Sequence, residues 1–332
     1  MAIAKRIHVL GTGVAIVRKY YNTAFILEDE SSYFLVDGMG GIDILRRFDE
    51  MKLDWQKLHH AFLSHTHTDH SLGMVYVLRY VAFLMRLNQY DGDFHLYTHK
   101  VAYNKIRKVC ELILDPHETR YFDDRIIFHV VEDREEKLIW NLRFHFFDIQ
   151  STKEAQFGFK AEAPDGSNLV FCGDEPICES VEEIARNADW LCAEAYCLYE
   201  EREIETPYRY HHSTVKDEAE LAEKLQVKHL ILWHTIDRGY PNRKKLYTKE
   251  ASAYYSGDVI VPDDGEIIVL KTSGAVRAAC KQHTYKSGTL KRHYSNKKGC
   301  TVKTYKVIYC AKCRYMKEQT LKSTASYSPC PH

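Results

Sequence analysis

His60-Ala61-Phe62-Leu63-Ser64-His65-Thr66-His67-Thr68-Asp69-His70 joins a short apolar run to three histidines and an aspartate within six residues. The run 60–64 reads as a buried strand that delivers the polar cluster at its C-terminal end. A strand ending in a loop can fan such closely spaced side chains around one or two cations. Imidazole with carboxylate suits Zn²⁺, and also Mn²⁺ or Fe²⁺. A metal placed there lowers the pKa of its bound water and neutralises charge on a phosphoryl oxygen. An exposed polar loop is the plain alternative, but three histidines and an aspartate in six residues rarely arise as a surface accident. Further ligands stand in suitable places. Phe171-Cys172-Gly173-Asp174 puts an aspartate just past an apolar strand, with glycine allowing a tight turn, and Leu230-Ile231-Leu232-Trp233-His234 does the same with a histidine.

Outward from these segments the chain alternates short apolar runs with helical patterns. Strands are expected at 6–10, 24–27, 33–36, 142–148, 156–163, 168–172, 191–195 and 229–233. Helices are expected at 42–51, 71–88, 101–114, 180–188 and 215–225. This order suggests an α/β protein with two sheets packed face to face and helices outside. After Leu270 the pattern dissolves into Lys, Ser, Thr, Tyr and Cys, which places a boundary near 271. A hydrolase domain is expected over 1–270 and a basic tail over 271–332.

The 332 residues are 45% hydrophobic and 28% charged, a globular composition. Net charge is zero but unevenly spread. Residues 271–332 hold fourteen Lys and Arg against one acidic residue, Glu318, which leaves 32 basic against 45 acidic residues before them. A basic tail on an acidic body suggests a polyanionic partner, or simply a solvated extension. The N-terminal apolar run is too brief for a signal, and the stretch around 74–85 is broken by Arg79 and too short to span a membrane. The ten cysteines then read as reduced thiols or metal ligands, and the expected compartment is the cytoplasm.

Over residues 6–270 the sequence resembles the metallo-β-lactamase superfamily, and within it the ribonuclease Z group. The resemblance rests on Gly11-Thr12-Gly13, Tyr21-Asn22-Thr23, Val36-Asp37, the segment 64–70, Gly173-Asp174, Leu191-Cys192-Ala193-Glu194-Ala195-Tyr196, His212-Ser213-Thr214 and the segment 230–234. It implies a four-layer αββα sandwich. By the same resemblance Asp174 bridges two metals, His65 and His67 bind one, and Asp69, His70 and His234 bind the other. Asp69 would also orient the attacking hydroxide, and His212, held by Glu194, would protonate the leaving alkoxide. A homodimer is implied as well. The proton-donor role makes independent sense, because an alkoxide has a high pKa and a positioned imidazole can supply its proton near neutrality. A carboxylate partner fixes the tautomer and raises basicity. The structural alternative is that Ser213 or Thr214 caps the helix at 215–225 whatever His212 does.

Two departures stand out. The family carries another histidine ligand after the strand that begins the second half, but Phe147-Asp148-Ile149-Gln150-Ser151-Thr152-Lys153 has none. Gln150 or Ser151 lies near the vacancy as a poorer ligand, while His145 alternates within the strand and reads as structural. The site is then binuclear with an altered ligand, mononuclear, or degenerate. The survival of His65, His67, Asp69, His70, Asp174, His212 and His234 favours an active enzyme. Secondly, residues 75–170 hold no long Gly/Pro-rich arm for gripping transfer RNA, and the acidic body disfavours nonspecific attraction to a polyanion.

The tail offers Cys300, Cys310-Ala311-Lys312-Cys313 and Cys330-Pro331-His332, which suggest a structural zinc ribbon. Its tyrosines among basic residues suit stacking on unpaired bases as well as packing around zinc. The leading expectation is a Zn²⁺- or Mn²⁺-dependent phosphodiesterase acting on RNA, such as transfer RNA precursor 3′ ends. A phosphodiesterase for cyclic or other small nucleotides competes with it. A catalytically weak nucleic-acid-binding protein on the same fold is the reading from another class.

Overall fold

The computed structural model describes residues 4, 6–29, 32–238 and 242–270, with the backbone of 285–296, 299–310 and 316–327. The first half runs β1 (Arg6–Gly11), β2 (Ala24–Glu28), β3 (Tyr33–Val36), α1 (Asp43–Glu50), β4 (Leu58–Leu63), α2 (Thr68–Arg86), β5 (Phe94–His99), α3 (Lys100–Ile113), α4 (Pro116–Thr119) and β6 (Ile126–Val131). The second half runs β7 (Glu136–Ile139), β8 (Leu142–Asp148), β9 (Phe157–Glu162), β10 (Asn168–Phe171), α5 (Glu182–Ala185), β11 (Trp190–Glu194), α6 (Arg202–Glu205), α7 (Val215–Lys224), β12 (His229–Trp233), α8 (Arg243–Ala251), β13 (Asp258–Ile260) and β14 (Ile267–Val269). One sheet has the order β14-β1-β2-β3-β4-β5-β6 and the other β13-β12-β11-β10-β9-β8-β7. The helix expected over 180–188 is shorter: a 3-10 turn at Glu179–Val181 leads into α5.

Strand periodicity explains the layers, because successive side chains leave a strand on opposite faces. In β2 and β3, Phe25, Leu27, Phe34 and Val36 face the other sheet, while Ala24, Ile26, Tyr33 and Leu35 face the helices. In β11 and β12, Trp190, Cys192, Ile231 and Trp233 face the first sheet, and Leu191, Ala193, Leu230 and Leu232 pack outward. Phe144, Phe146, Phe159 and Phe171 complete the inter-sheet core. Each fully buried phenylalanine there contributes about 1.5–3 kcal/mol of transfer free energy. Helices α1, α2 and α3 cover one outer face through Phe48, Met74 and Ile106, and α5, α7 and α8 cover the other through Ala185, Ala219 and Tyr247. The result is the αββα order the sequence implied. Residues 75–170, where no arm was expected, run through regular elements from α2 to β10.

Strands β3, β4 and β5 are mutually parallel, as are β10, β11 and β12. The ends of β4, β10, β11 and β12 therefore open into one crevice, where open α/β sheets place their ligands. Among the described residues no helix is long and apolar enough to cross a membrane.

The chain divides into two compact units, Met1–Lys271 and Thr272–His332. The second unit corrects the expectation of a pattern that dissolves after 270. Its backbone forms β15 (Tyr285–Asn296), β16 (Gly299–Cys310) and β17 (Met316–Tyr327), an antiparallel sheet in that order. Thr, Tyr and Val carry strand propensity even where no apolar alternation announces it. The tail-zinc expectation changes with it. Cys300 pairs in register with Tyr327 and Cys310 with Tyr285, so they stand near opposite ends of β16. Ten residues of strand separate them by about 33 Å, so they cannot share one ion. Cys313 and Cys330 lie outside the described residues.

Three strands carry an imidazole ladder away from the crevice. His60 stacks on His95 with ring centroids 5.2 Å apart, and His95 Nδ1 meets His129 Nε2 at 3.0 Å. Burial, reinforced by the neighbouring imidazoles, depresses His60 to about 3 and His129 to about 4. These values lie below the unfolded one, so the contribution to stability is present above pH 6.5 and lost as pH falls towards 4. Urea unfolding should show a loss of about 1–3 kcal/mol between pH 7 and 4.5 from this ladder. His60→Phe should flatten that slope, and an unchanged slope would refute the assignment.

Candidate metal centre

The polar cluster of 65–70 is held by a residue outside it. Asp37 lies at the end of β3 with φ 59°, and its Oδ1 accepts the Ser64 amide at 2.8 Å. Its Oδ2 accepts the Ser64 hydroxyl and His70 Nδ1, each at 2.8 Å. Helix α2 must come close for His70 to reach it. Gly73 allows this, since a Cβ there would stand 1.7 Å from the Gly38 carbonyl oxygen. Any side chain at Gly73 would push α2, and with it Asp69 and His70, away from Asp37.

Each buried imidazole is anchored on one nitrogen and turns the other towards the centre. His65 Nδ1 donates to Ser64 Oγ at 3.0 Å, because that hydroxyl already donates to Asp37. His234, at φ 55° just past β12, has Nδ1 3.1 Å from the Thr23 hydroxyl, which itself donates to the Gly13 carbonyl. The Nε2 atoms of His65, His70 and His234 then converge on Asp174 Oδ2 at 3.7, 3.8 and 3.6 Å. Asp174 is fixed by Gln156, which accepts from its amide at 2.9 Å and donates to its Oδ1. Gly173 (φ +77°) is required between them, since a Cβ would stand 1.9 Å from Gln156 Oε1.

Two triads can each hold a divalent cation, His65–His67–Asp174 and Asp69–His70–His234, with ligand atoms within 4.8 Å of one another. Asp174 Oδ2 lies between the triads. The chemistry of the donors fits such ions. His65 Nε2 and His67 Nδ1 face each other at 2.9 Å, a pairing that needs a proton or a cation between them. His70 Nε2 is buried with no hydrogen-bond partner. Burial holds His65 well below its ordinary value and His234 at about 3, so both are neutral with free lone pairs. Burial would raise Asp174, but the imidazoles of His65, His234 and His70 hold it well below the usual carboxylate range. Burial would likewise lower His70, yet Asp69 and Asp37 hold it well above its ordinary value.

Glu194, at the end of β11, is fully buried and accepts the Ser213 amide. Its Oε2 lies 3.6 Å from His212 Nδ1, and Tyr196 stacks on the His212 ring at 4.9 Å and 10°. Burial works against a charged His212, but Glu194 prevails and raises it above 6.5. Burial also raises Glu194, and Glu218 beneath it is raised well above the carboxylate range by burial and by Glu194. Thr214 is the N-cap of α7, with its hydroxyl accepting from the Asp217 amide at 3.3 Å. The helix start therefore does not depend on His212. His212 also stands with Asp174 and His234 in a third group close enough to share an ion.

The structure does not bring Gln150 into this centre. Gln150 is exposed, at φ 61°, and its amide bonds the Asp148 carboxylate at 2.8 Å, which turns the residue outward. His145 sits on β8 with Nδ1 4.0 Å from Glu136 Oε1 across to β7. Ser151 bonds Glu175 at 2.6 Å. The residues to which the sequence reading gave no role are the anchors, Asp37 and Thr23 among them, together with Lys153, Glu154 and Gln156 of the following loop. The cleft over the centre measures about 780 Å³ and is walled by Ile16, Lys153, Tyr196, Tyr210 and Arg238.

This layered fold with histidine and aspartate triads at the strand ends defines a metallo-β-lactamase-fold hydrolase. Residues 5–251 match the family described as Anti-Pycsar protein Apyc1, and the chain belongs to that family. It is similar to ribonuclease Z of Thermococcus sibiricus, with 23% identity over 311 residues, 79% of this chain and 95% of the relative. Among solved structures, the metallo-β-lactamase fold protein YhfI of Bacillus subtilis matches with TM-score 0.65 and 15% identity, over 79% of this chain and 98% of that one. The short form of human tRNase Z matches with TM-score 0.61 and 17% identity, again over 79% and 98%. The chain is thus a metal-dependent hydrolase of phosphodiesterase type.

Proposed function

We propose that this protein hydrolyses small nucleotide phosphodiesters, with Zn²⁺ or Mn²⁺ at the two triads. The observation that carries the substrate size is the cleft of about 780 Å³ over Asp174 and His212. That volume suits a ligand of nucleotide size. Lys153 and Arg238 offer cationic groups for a phosphate, and Tyr196 and Tyr210 offer aromatic faces for a base. The bound ions would acidify a water and neutralise charge on the phosphoryl oxygens. Asp69, whose Oδ2 lies 3.2 Å from His70 Nε2, orients the attacking water and takes up its proton. The water oxygen forms the new P–O bond while the ester P–O bond breaks. His212, whose affinity for a proton Glu194 raises, gives that proton to the departing alkoxide.

A second reading, hydrolysis of RNA, is favoured by the basic tail and by the name ribonuclease Z of the relatives. An assay with Mn²⁺ separates the two. Cyclic nucleotides, bis(p-nitrophenyl) phosphate and a transfer RNA precursor should be compared on the full chain and on a chain ending at Lys271. Turnover of the small diesters that survives the truncation supports the proposal. Turnover confined to the RNA, and lost with residues 272–332, replaces it with the second reading. Turnover of none of them leaves a binding protein.

A further inference from the structure

Every imidazole at the centre needs its outer nitrogen fixed, or its ring rotates and the inner lone pair leaves the cation. For His65, His70 and His234 the anchors are Ser64, Asp37 and Thr23, and the side chains are 0%, 1% and 2% exposed. Packing alone confines these three. His67 differs. Its side chain is 38% exposed, it sits at the N-cap of α2 without capping through its ring, and no core surrounds it.

Glu154 stands where the missing anchor should be. Its Oε2 lies 3.6 Å from His67 Nε2, on the side of the ring away from His65. The Glu154 side chain is only 12% exposed, and its Oε1 accepts from the Thr66 hydroxyl and the Lys105 ammonium. The carboxylate is therefore clamped to the residue preceding His67 and to α3 at once. We infer that Glu154 is a positioning residue that keeps His67 Nδ1 turned onto the first cation position, and thereby sets the affinity of that position separately from the second.

The selectivity follows from ligand numbers. The first position draws on His65, His67 and Asp174, whereas Asp69, His70, His234 and the shared Asp174 surround the second. Releasing one ligand of three weakens a site more than a distant change weakens a site of four. A carboxylate 3.6 Å from the outer nitrogen favours the proton on Nε2, which leaves Nδ1 bare towards the cation position. Glu154 thus does from outside the coordination sphere what an added ligand would do from within it. Nothing in this inference depends on the substrate.

The test is a Mn²⁺ titration of the metal-free full-length protein by calorimetry, with electron paramagnetic resonance at each equivalent. Mn²⁺ is chosen because a hard ion is taken poorly by thiols of the tail. Wild type should bind two ions and give a spin-coupled spectrum at the second equivalent. Glu154→Ala should weaken one ion about 10–100-fold, leave the other unchanged, and give an isolated-ion spectrum. Glu154→Gln keeps the size and the Thr66 contact without the charge, and should also weaken that ion selectively; it guards against an alanine variant that fails to fold. Equal weakening of both ions, wild-type affinities in the variants, or a wild-type protein that binds only one ion overturns the inference. Hydrolysis is not read, so failure of the proposed function would leave this result standing.

Discussion

His212→Ala lowers kcat by about 10²–10⁴-fold, the range for loss of a positioned proton donor, and leaves cation content intact. The alkoxide departs with a high pKa, so the proton must come from a group that is charged at neutral pH and aimed into the cleft. His212 lines the cleft, and Glu194 behind it raises its affinity for the proton against the effect of burial. The substitution leaves the start of α7 alone, because Thr214 and Asp217 form that cap without it. The fold should therefore survive, with Glu194 taking a proton once its partner is gone. Glu194→Gln supplies a finer readout. The donor works only when protonated, so the rate falls as pH rises through the His212 pKa. Removing the Glu194 charge lowers that pKa, and the alkaline limb of the pH–rate profile should move down. A limb that stays in place, or His212→Ala turnover equal to wild type, would refute the donor role. Mass-spectrometric metal content distinguishes this outcome from loss of an ion, since His212 also stands close to Asp174 and His234.

The layers were legible in the sequence because the central strands, buried on both faces, stand out as short apolar runs between turns. The run Ala24-Phe25-Ile26-Leu27, buried on both faces, marks a core strand without a structure, but not which residues face the other sheet. The ligands were legible for a different reason, since His65, His67, Asp69 and His70 are close along the chain and Asp174 and His234 each follow an apolar strand. The anchors were not. Asp37, Thr23 and Glu154 reach the imidazoles across 33, 211 and 87 positions of sequence respectively, and nothing local marks them. Asp37 and Thr23 enter the sequence reading only as parts of a family resemblance, without a role. The gap at Gln150 is real as an absence of histidine, and no single residue of 147–153 fills it. The loop that follows acts instead through Glu154 on His67 and Gln156 on Asp174. The tail misled in the opposite direction, because its strands pair without the apolar alternation that reveals a buried sheet.

Asp174→Asn should empty both cation positions while keeping the fold, and so abolish hydrolysis more completely than loss of any one histidine. Gln156 decides the orientation of the new amide. Its side chain donates to Asp174 Oδ1 and accepts from the Asp174 backbone amide. An asparagine would keep its carbonyl oxygen on that donor, which turns its NH₂ group towards the place of Oδ2. That place lies 3.6–3.8 Å from the Nε2 atoms of His65, His70 and His234. Donors would then face the lone pairs that cations require, and the shared negative oxygen would be gone. Two positions fail together because one oxygen serves both. Turnover should fall about 10³-fold or more, the loss of several kcal/mol of charge stabilisation in the transition state. Mass spectrometry of Mn²⁺-loaded protein should find neither ion, whereas His67→Ala should keep one. Thermal unfolding gives a reading free of catalysis: Mn²⁺ at about 100 times its Kd adds about 2.7 kcal/mol to wild type, and should add nothing to Asp174→Asn. A variant that still gains stability from Mn²⁺, or still carries one ion, would show that the two positions do not depend on this shared carboxylate.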